Sequence, residues 1–184
     1  MGPKGTIMGL FTRKRYERAG FLLYKAAVGA ARDPWFYEGL GVPDTLDGRF
    51  DLVGVHVFLV IDRLRAEVAP GPAVAQAVFG AMFADMDFNL REMGVGDMSV
   101  SKRMKEMWEA FHGRAEAYGA ALAAEPAELS EALRRNVWRG AAPDGAAEAL
   151  ADLVRRQKAA LATVPVEQFA KGELRFLPAG LLAA

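Results

Sequence analysis

Apolar residues recur at a spacing close to 3.6 along almost the whole chain, and strand-like alternation is nearly absent. The first such run predicts a helix from about residue 14 to 32, carrying Phe21, Leu22, Tyr24 and Val28. Asp33-Pro34 ends it, because a residue preceding proline is pushed out of helical geometry. The next stretch, W-F-Y-E-G-L-G-V-P-D-T-L-D-G-R-F, reads as a loop, yet its Trp35, Phe36, Tyr37 and Phe50 call for packed rings. A second helix is expected over 51–68 with Asp51 as its N-cap, closed by Pro70-Gly71-Pro72. A third covers 73–93, with Gly94 suited to the left-handed position after it. Ser99 or Ser101 would cap a fourth over 100–124. A fifth spans 127–138, a sixth 144–162, and a short helical turn 166–171. The pattern predicts an all-α fold, a single compact domain of about six helices with an aromatic-rich loop between the first two. It divides into a basic, partly disordered segment (1–13), the helical domain (14–165) and a C-terminal tail (166–184).

Composition narrows the function classes. With 184 residues and 52% hydrophobic content, the chain suits one domain that buries roughly 70% of its unfolded surface. Lys+Arg 23 against Asp+Glu 23 gives no net charge, which argues against DNA or RNA as the main partner. The absence of cysteine removes disulfides, thiolate catalysis and thiolate metal sites. The longest apolar run, Leu52 to Ile61, contains Gly54 and His56 and is too short to cross a bilayer, so it reads as a buried helix. No secretory signal is visible at the start of the chain, and the expected setting is the cytoplasm.

The richest chemistry lies between Met82 and Tyr118, where six of the eight methionines stand beside an acidic pair, an Arg-Glu and a basic run. Thioethers are flexible and polarizable, so a Met-rich surface repacks against varied apolar partners. Asp87 and Arg91 are four apart and pair on one helical face, as do Asp85 and Asn89. Asp85 and Asp87 point in different directions and do not form a carboxylate dyad for acid–base work. The competing reading of this cluster is a polar network fixing the third helix against the aromatic loop. Partner-binding candidates are Asp85, Met86, Asp87, Arg91, Glu92, Met93, Lys102 and Lys105, the last two on one face beside the Met104, Met107, Trp108 and Phe111 stripe. Trp35, Tyr37, Asp44, Arg49 and His56 are candidates for a loop and core network. Glu109-Ala-Phe-His112 supplies one E-x-x-H turn of a di-metal carboxylate bundle, but Val53 stands where His56 would need its glutamate. Neither a metal nor a cofactor is expected, and no catalytic residue emerges. Near the start, Ile7, Leu10 and Phe11 adjoin Arg13, Lys14, Arg15 and Arg18, a basic amphipathic segment suited to anionic lipid.

Several uncommon strings give the chain a resemblance to the ubiquinol–cytochrome c chaperone family. They are A-R-D-P-W-F-Y-E-G-L-G-V-P-D-T-L-D-G-R-F-D-L from Ala31, His56, F-A-D-M-D-F-N-L-R-E-M-G-V-G-D from Phe83, V-S-K-R-M-K from Val100, F-H-G-R-A-E-A-Y from Phe111 and L-R-R-N-V-W from Leu133. The likeness covers about Tyr24 to Leu161. It implies a helical, non-enzymatic assembly factor for respiratory complex III that binds newly made cytochrome b. It also implies a small co-chaperone and a ribosome contact. The Ala/Arg-rich make-up points to a bacterial member working at the inner face of the inner membrane as a peripheral protein. The alternative reading is a carrier or sensor of an apolar small molecule such as a prenyl lipid or quinone, enclosed by the many Met, Phe and Trp side chains. A further rival, an enzyme resembling a di-metal oxygenase, would carry bound metal.

Overall fold

The structure is a computed structural model that describes residues 5–182, with side chains described for 15–180. Seven α-helices follow one another: α1 (Gly5–Ala31), α2 (Leu46–Arg65), α3 (Gly71–Glu92), α4 (Asp97–Ala123), α5 (Pro126–Val137), α6 (Ala146–Ala162) and the short α7 (Val166–Lys171). A 3₁₀ turn at Ala179–Leu182 follows, and no strand occurs among the described residues. The expected all-α domain of six helices and one further helical turn is therefore present.

Helix α2 is the centre. Val55 through Ile61 are buried without interruption, so this helix is apolar all round and takes neighbours on every side. Helices α1, α3 and α6 pack against it, and α1 also lies along α3. Gly20 permits that last approach, since a side chain there would run into the Ala77 backbone. Helices α5 and α6 present the complementary amphipathic stripes Leu129, Leu133, Val137 and Leu150, Leu153, Val154, Leu161. Arg63 of α2 donates to the carbonyls of Leu161, which also accepts the Val164 N–H, and of Val164, at 3.1 Å each, tying α2 to the end of α6 and the turn after it.

Element ends differ from the sequence expectation in instructive ways. The aromatic stretch is not a plain loop: Trp35–Gly39 forms a π-helical turn with Phe36 buried beneath it. Helix α2 starts five residues before Asp51, because the Thr45 side chain accepts the Gly48 N–H at 3.1 Å and acts as the N-cap. Asp51 is thereby moved into the helix interior, where it is buried. Helix α3 begins at Gly71, with Pro72 tolerated in its first turn. Helix α4 begins at Asp97 with Gly96 as its N-cap, which leaves Ser99 and Ser101 exposed within the helix and not as caps. Gly94 has φ +77° and ends α3 as expected. The stretch after residue 166 is not a loose tail: Phe169 is fully buried, and Phe176 sits edge-on against His56 at 5.1 Å. The side chains of Arg13 and Lys14, part of the basic segment, lie outside the described residues.

Candidate functional site

The α3–α4 hairpin carries most of the partner-binding candidates, but not as one continuous methionine surface. Met82 and Met86 share a face of α3 with Val78 and Leu90 and are taken up by the core. Met86 is therefore a packing residue and is unavailable as a contact. The exposed apolar groups are others. Phe88, half a turn from Met86, is 60% exposed, Met93 55% and Met98 91%. Trp108 of α4 stacks on His112 with ring centroids 3.9 Å apart and keeps its outer face in solvent. Phe79 and Phe83 meet Phe111 and fasten α3 to α4. Phase along α3 was the available signal for Phe88, since a residue two after Met86 cannot share its face.

The charged groups of the hairpin follow two patterns. Asp87 receives Arg91 through both oxygens, at 2.7 and 3.2 Å, and the same guanidinium reaches Asp97 at 2.5 Å across the α3–α4 turn. Arg91 holds the Asp87 carboxyl below its ordinary range. Glu92 is exposed and without an ion-pair partner among the described residues. Between residues 85 and 97 stand four carboxylates (Asp85, Asp87, Glu92, Asp97) against one cation (Arg91), so the turn is acidic. Lys102 and Lys105 lie exposed on α4 and only loosely approach Glu106 and Glu109, at 3.9 and 3.8 Å.

Asp85 belongs to another environment. Its Oδ2 accepts the Tyr24 hydroxyl at 2.7 Å and the Asn89 amide at 3.1 Å, which ties α3 to α1. Burial, and then Asp85 itself, pushes the Tyr24 hydroxyl well above the ordinary tyrosine range, so it stays a donor. The polar network expected between the third helix and the aromatic loop is thus directed to α1 instead. The reason is geometric: Asp85 sits on the α1 side of α3, and Asp87 on the α4 side.

The loop and core candidates are structural. Trp35 meets Phe36 edge-on at 5.5 Å, and Asp33 Oδ1 accepts the Trp35 N–H at 3.0 Å. The Tyr37 hydroxyl donates to the Ala31 carbonyl at 2.9 Å, and burial raises its pKa. Arg49 and Asp44 form an exposed two-point pair at 2.6 and 3.2 Å. His56 is buried between Phe36 and Phe176, with Nδ1–H donating to the Leu52 carbonyl at 2.8 Å. Burial pushes its pKa down to about 4, so it is neutral. The sequence reading missed the strongest polar knot. Asp51, whose side chain is inaccessible, pairs with Arg114 of α4 and, at 2.6 Å, with Arg139 beyond α5. Arg139 adopts φ +55°, a left-handed conformation uncommon outside glycine, and its Nη1 also reaches the Asn136 carbonyl. Separations of 63 and 88 residues hide this knot from any local pattern.

Comparisons with known proteins agree with the fold and with the family resemblance. A family model described as ubiquinol-cytochrome C chaperone matches residues 38–176. The Cbp3 homolog from Brucella abortus, a crystal structure, superposes with a TM-score of 0.81 at 35% identity, over 95% of this chain and 98% of that one. Ubiquinol-cytochrome-c reductase complex assembly factor 1 of Xenopus laevis is 24% identical over 85% of this chain and 79% of its own length. Protein CBP3, mitochondrial, of Saccharomyces cerevisiae is 24% identical over 96% of this chain, which spans 54% of that longer protein. The chain belongs to the ubiquinol–cytochrome c chaperone family.

Proposed function

We propose that this protein is a non-enzymatic assembly chaperone for ubiquinol–cytochrome c reductase, and that it holds newly made cytochrome b at the α3–α4 hairpin. The observation that carries the reading is the exposed set Phe88, Met93, Met98 and Trp108 beside an acidic turn. A membrane-protein client presents apolar helices, and its cytoplasmic loops are rich in Lys and Arg. Flexible thioethers and an aromatic face suit the first, and Glu92 with the Asp87–Arg91–Asp97 chain suits the second. A chaperone must also release its client, and these charged groups lie in solvent where salt weakens them. None of the described helices is long and apolar enough to cross a membrane. Peripheral attachment at the inner face of the inner membrane is carried by the basic start of α1, where Arg15 and Arg18 are exposed. The carrier reading for a prenyl lipid or quinone is less favoured, because Met82, Phe111 and Phe169 fill the core and the groove beside α1 is open and rimmed by arginines. A small co-chaperone and the ribosome remain part of the proposed setting through the family resemblance.

Site-specific photocrosslinking tests the assignment. A benzophenone side chain at position 88 or 98 in respiring cells should yield a covalent adduct with cytochrome b, whereas one at exposed Glu128 of α5 should not. Equal adducts at all three positions, or none at 88 and 98 in a folded protein, would remove the hairpin from the function.

A further inference from the structure

The stretch from Glu173 to Pro178, between α7 and the 3₁₀ turn, has neither helical nor turn structure. Just before it, Gly172 lies against Ala19 and Leu22 of α1. The 3₁₀ turn that follows it touches the π-helical turn beyond the other end of α1. The stretch therefore climbs about three turns of α1, roughly 17 Å, which so few residues cover only with near-extended backbone at ~3.3 Å each. One edge of it is occupied. Leu177 N–H donates to Gln157 Oε1 at 2.9 Å, and Gln157 Nε2 donates back to the Leu177 carbonyl at 2.7 Å. The buried Gln157 amide thus stands in for the peptide group of a neighbouring strand.

Backbone groups of successive residues in an extended segment face opposite edges. Leu174 and Phe176 therefore direct N–H and C=O away from Gln157, and none of these groups has a hydrogen-bond partner among the described residues. Unpaired strand edges are templates for a further strand. This edge borders a groove of about 540 Å³ whose opposite wall is α1, through Ala26, Gly29 and Ala30. That wall is low: a side chain at Gly29 would meet nothing within 4 Å. Arg32 and Arg175 stand exposed on the rim, and neither forms an ion pair among the described residues. The one carboxylate on the rim, Asp33, already accepts the Trp35 N–H.

We infer that this groove takes an extended, acidic peptide segment of a partner protein, which adds as a strand to the Leu174–Phe176 edge and sets carboxylates against Arg32 and Arg175. Main-chain hydrogen bonds provide the attachment, and the two guanidiniums provide the selection. The groove shares no lining residue with the α3–α4 hairpin.

Fluorescence anisotropy with the full-length protein and a labelled alternating Asp-Val hexapeptide tests the inference, with Lys-Val and all-Asp hexapeptides as controls. Saturable binding of Asp-Val is expected, at least tenfold tighter than either control. The double variant Arg32→Glu, Arg175→Glu should weaken it at least tenfold, and Gly29→Trp, which fills the groove, should do so without removing charge. Each variant is first matched to the parent by circular dichroism and melting. Amide exchange at Leu174 and Phe176 should slow when the peptide is bound. Three outcomes overturn the inference. One is no saturable binding, another is equal binding of all-Asp, which marks mere charge attraction. The last is binding that appears only after residues 181–184 are deleted, which assigns the groove to the chain's own end.

Discussion

Helices α2 and α4 touch, yet they are built for opposite purposes. Of the 20 residues of α2, 11 are buried, including a carboxylate and a histidine. Of the 27 residues of α4, only Val100, Phe111, Tyr118 and Ala121 are buried, and the first of these stands eleven positions from the next. A helix that is apolar all round is fixed by its neighbours, whereas one with so thin a stripe is held at a few points and offers the rest outward. The lesson is that methionines and aromatics carry no meaning as a class. Met82 and Met86 supply core volume, and Met98 and Trp108, a short distance along the chain, supply surface.

The contrast can be broken most forcefully from the α2 side. Leu59→Ala, at a position 2% exposed, should cost about 3 kcal/mol in urea unfolding, through lost transfer energy and the cavity left behind. His56 makes a comparable contribution that depends on pH. Its folded pKa of about 4 lies below the unfolded value near 6.5, so the unfolded chain binds more protons between those pH values. Stability should therefore fall as pH drops through that window, by roughly 3 kcal/mol in all at about 1.4 kcal/mol per unit. The His56→Phe variant should lose that component of the slope while the remaining acid response persists. An unchanged slope would place the histidine's titration elsewhere.

Next in size comes the point where α2 grips α4. Burial raises the Asp51 carboxyl and the two arginines draw it back, so the knot depends on all three groups. Asp51→Asn should cost about 2 kcal/mol, less than a fully buried pair because Arg139 is half exposed. Tryptophan fluorescence of the α4 side, read through Trp108, should report loosening there before global unfolding.

Much of this was legible in the sequence and some was not, for identifiable reasons. Helical period, the stop at Asp33-Pro34 and the turn at Gly94 are local signals, and they gave seven elements in the right order. The Asp87–Arg91 pair was readable because four residues bring two side chains to one face. Asp51 was misread as a cap because Thr45, six residues earlier, competes for that role and wins by bonding Gly48. Its true partners lie on other helices, so only the folded chain brings them together. Phe88 was overlooked because a run of apolar and acidic residues hides which phase of the helix faces the core. The edge at Leu174–Phe176 depends on Gln157, and no periodicity announces a side chain that acts as backbone.

The smallest effect on stability should accompany the largest effect on function, and it lies at the tip of the α3–α4 hairpin. Phe88→Ser with Met98→Ser removes two exposed side chains that touch little, so melting and urea unfolding should stay within about 0.5 kcal/mol of the parent. Capture of cytochrome b should nevertheless fall several-fold, measured by co-purification and by the b-type haem absorbance of membranes. Reversal of Asp85 would be a poorer test, because it would sever the Tyr24 bond and loosen α1 from α3. Glu92→Lys is the cleaner charge change, since Glu92 has no ion-pair partner among the described residues, and it should weaken capture more at low salt than at high salt. If both variants capture cytochrome b like the parent, the exposed half of α4 and the tip of α3 serve another partner, and the contrast with α2 marks only unequal packing.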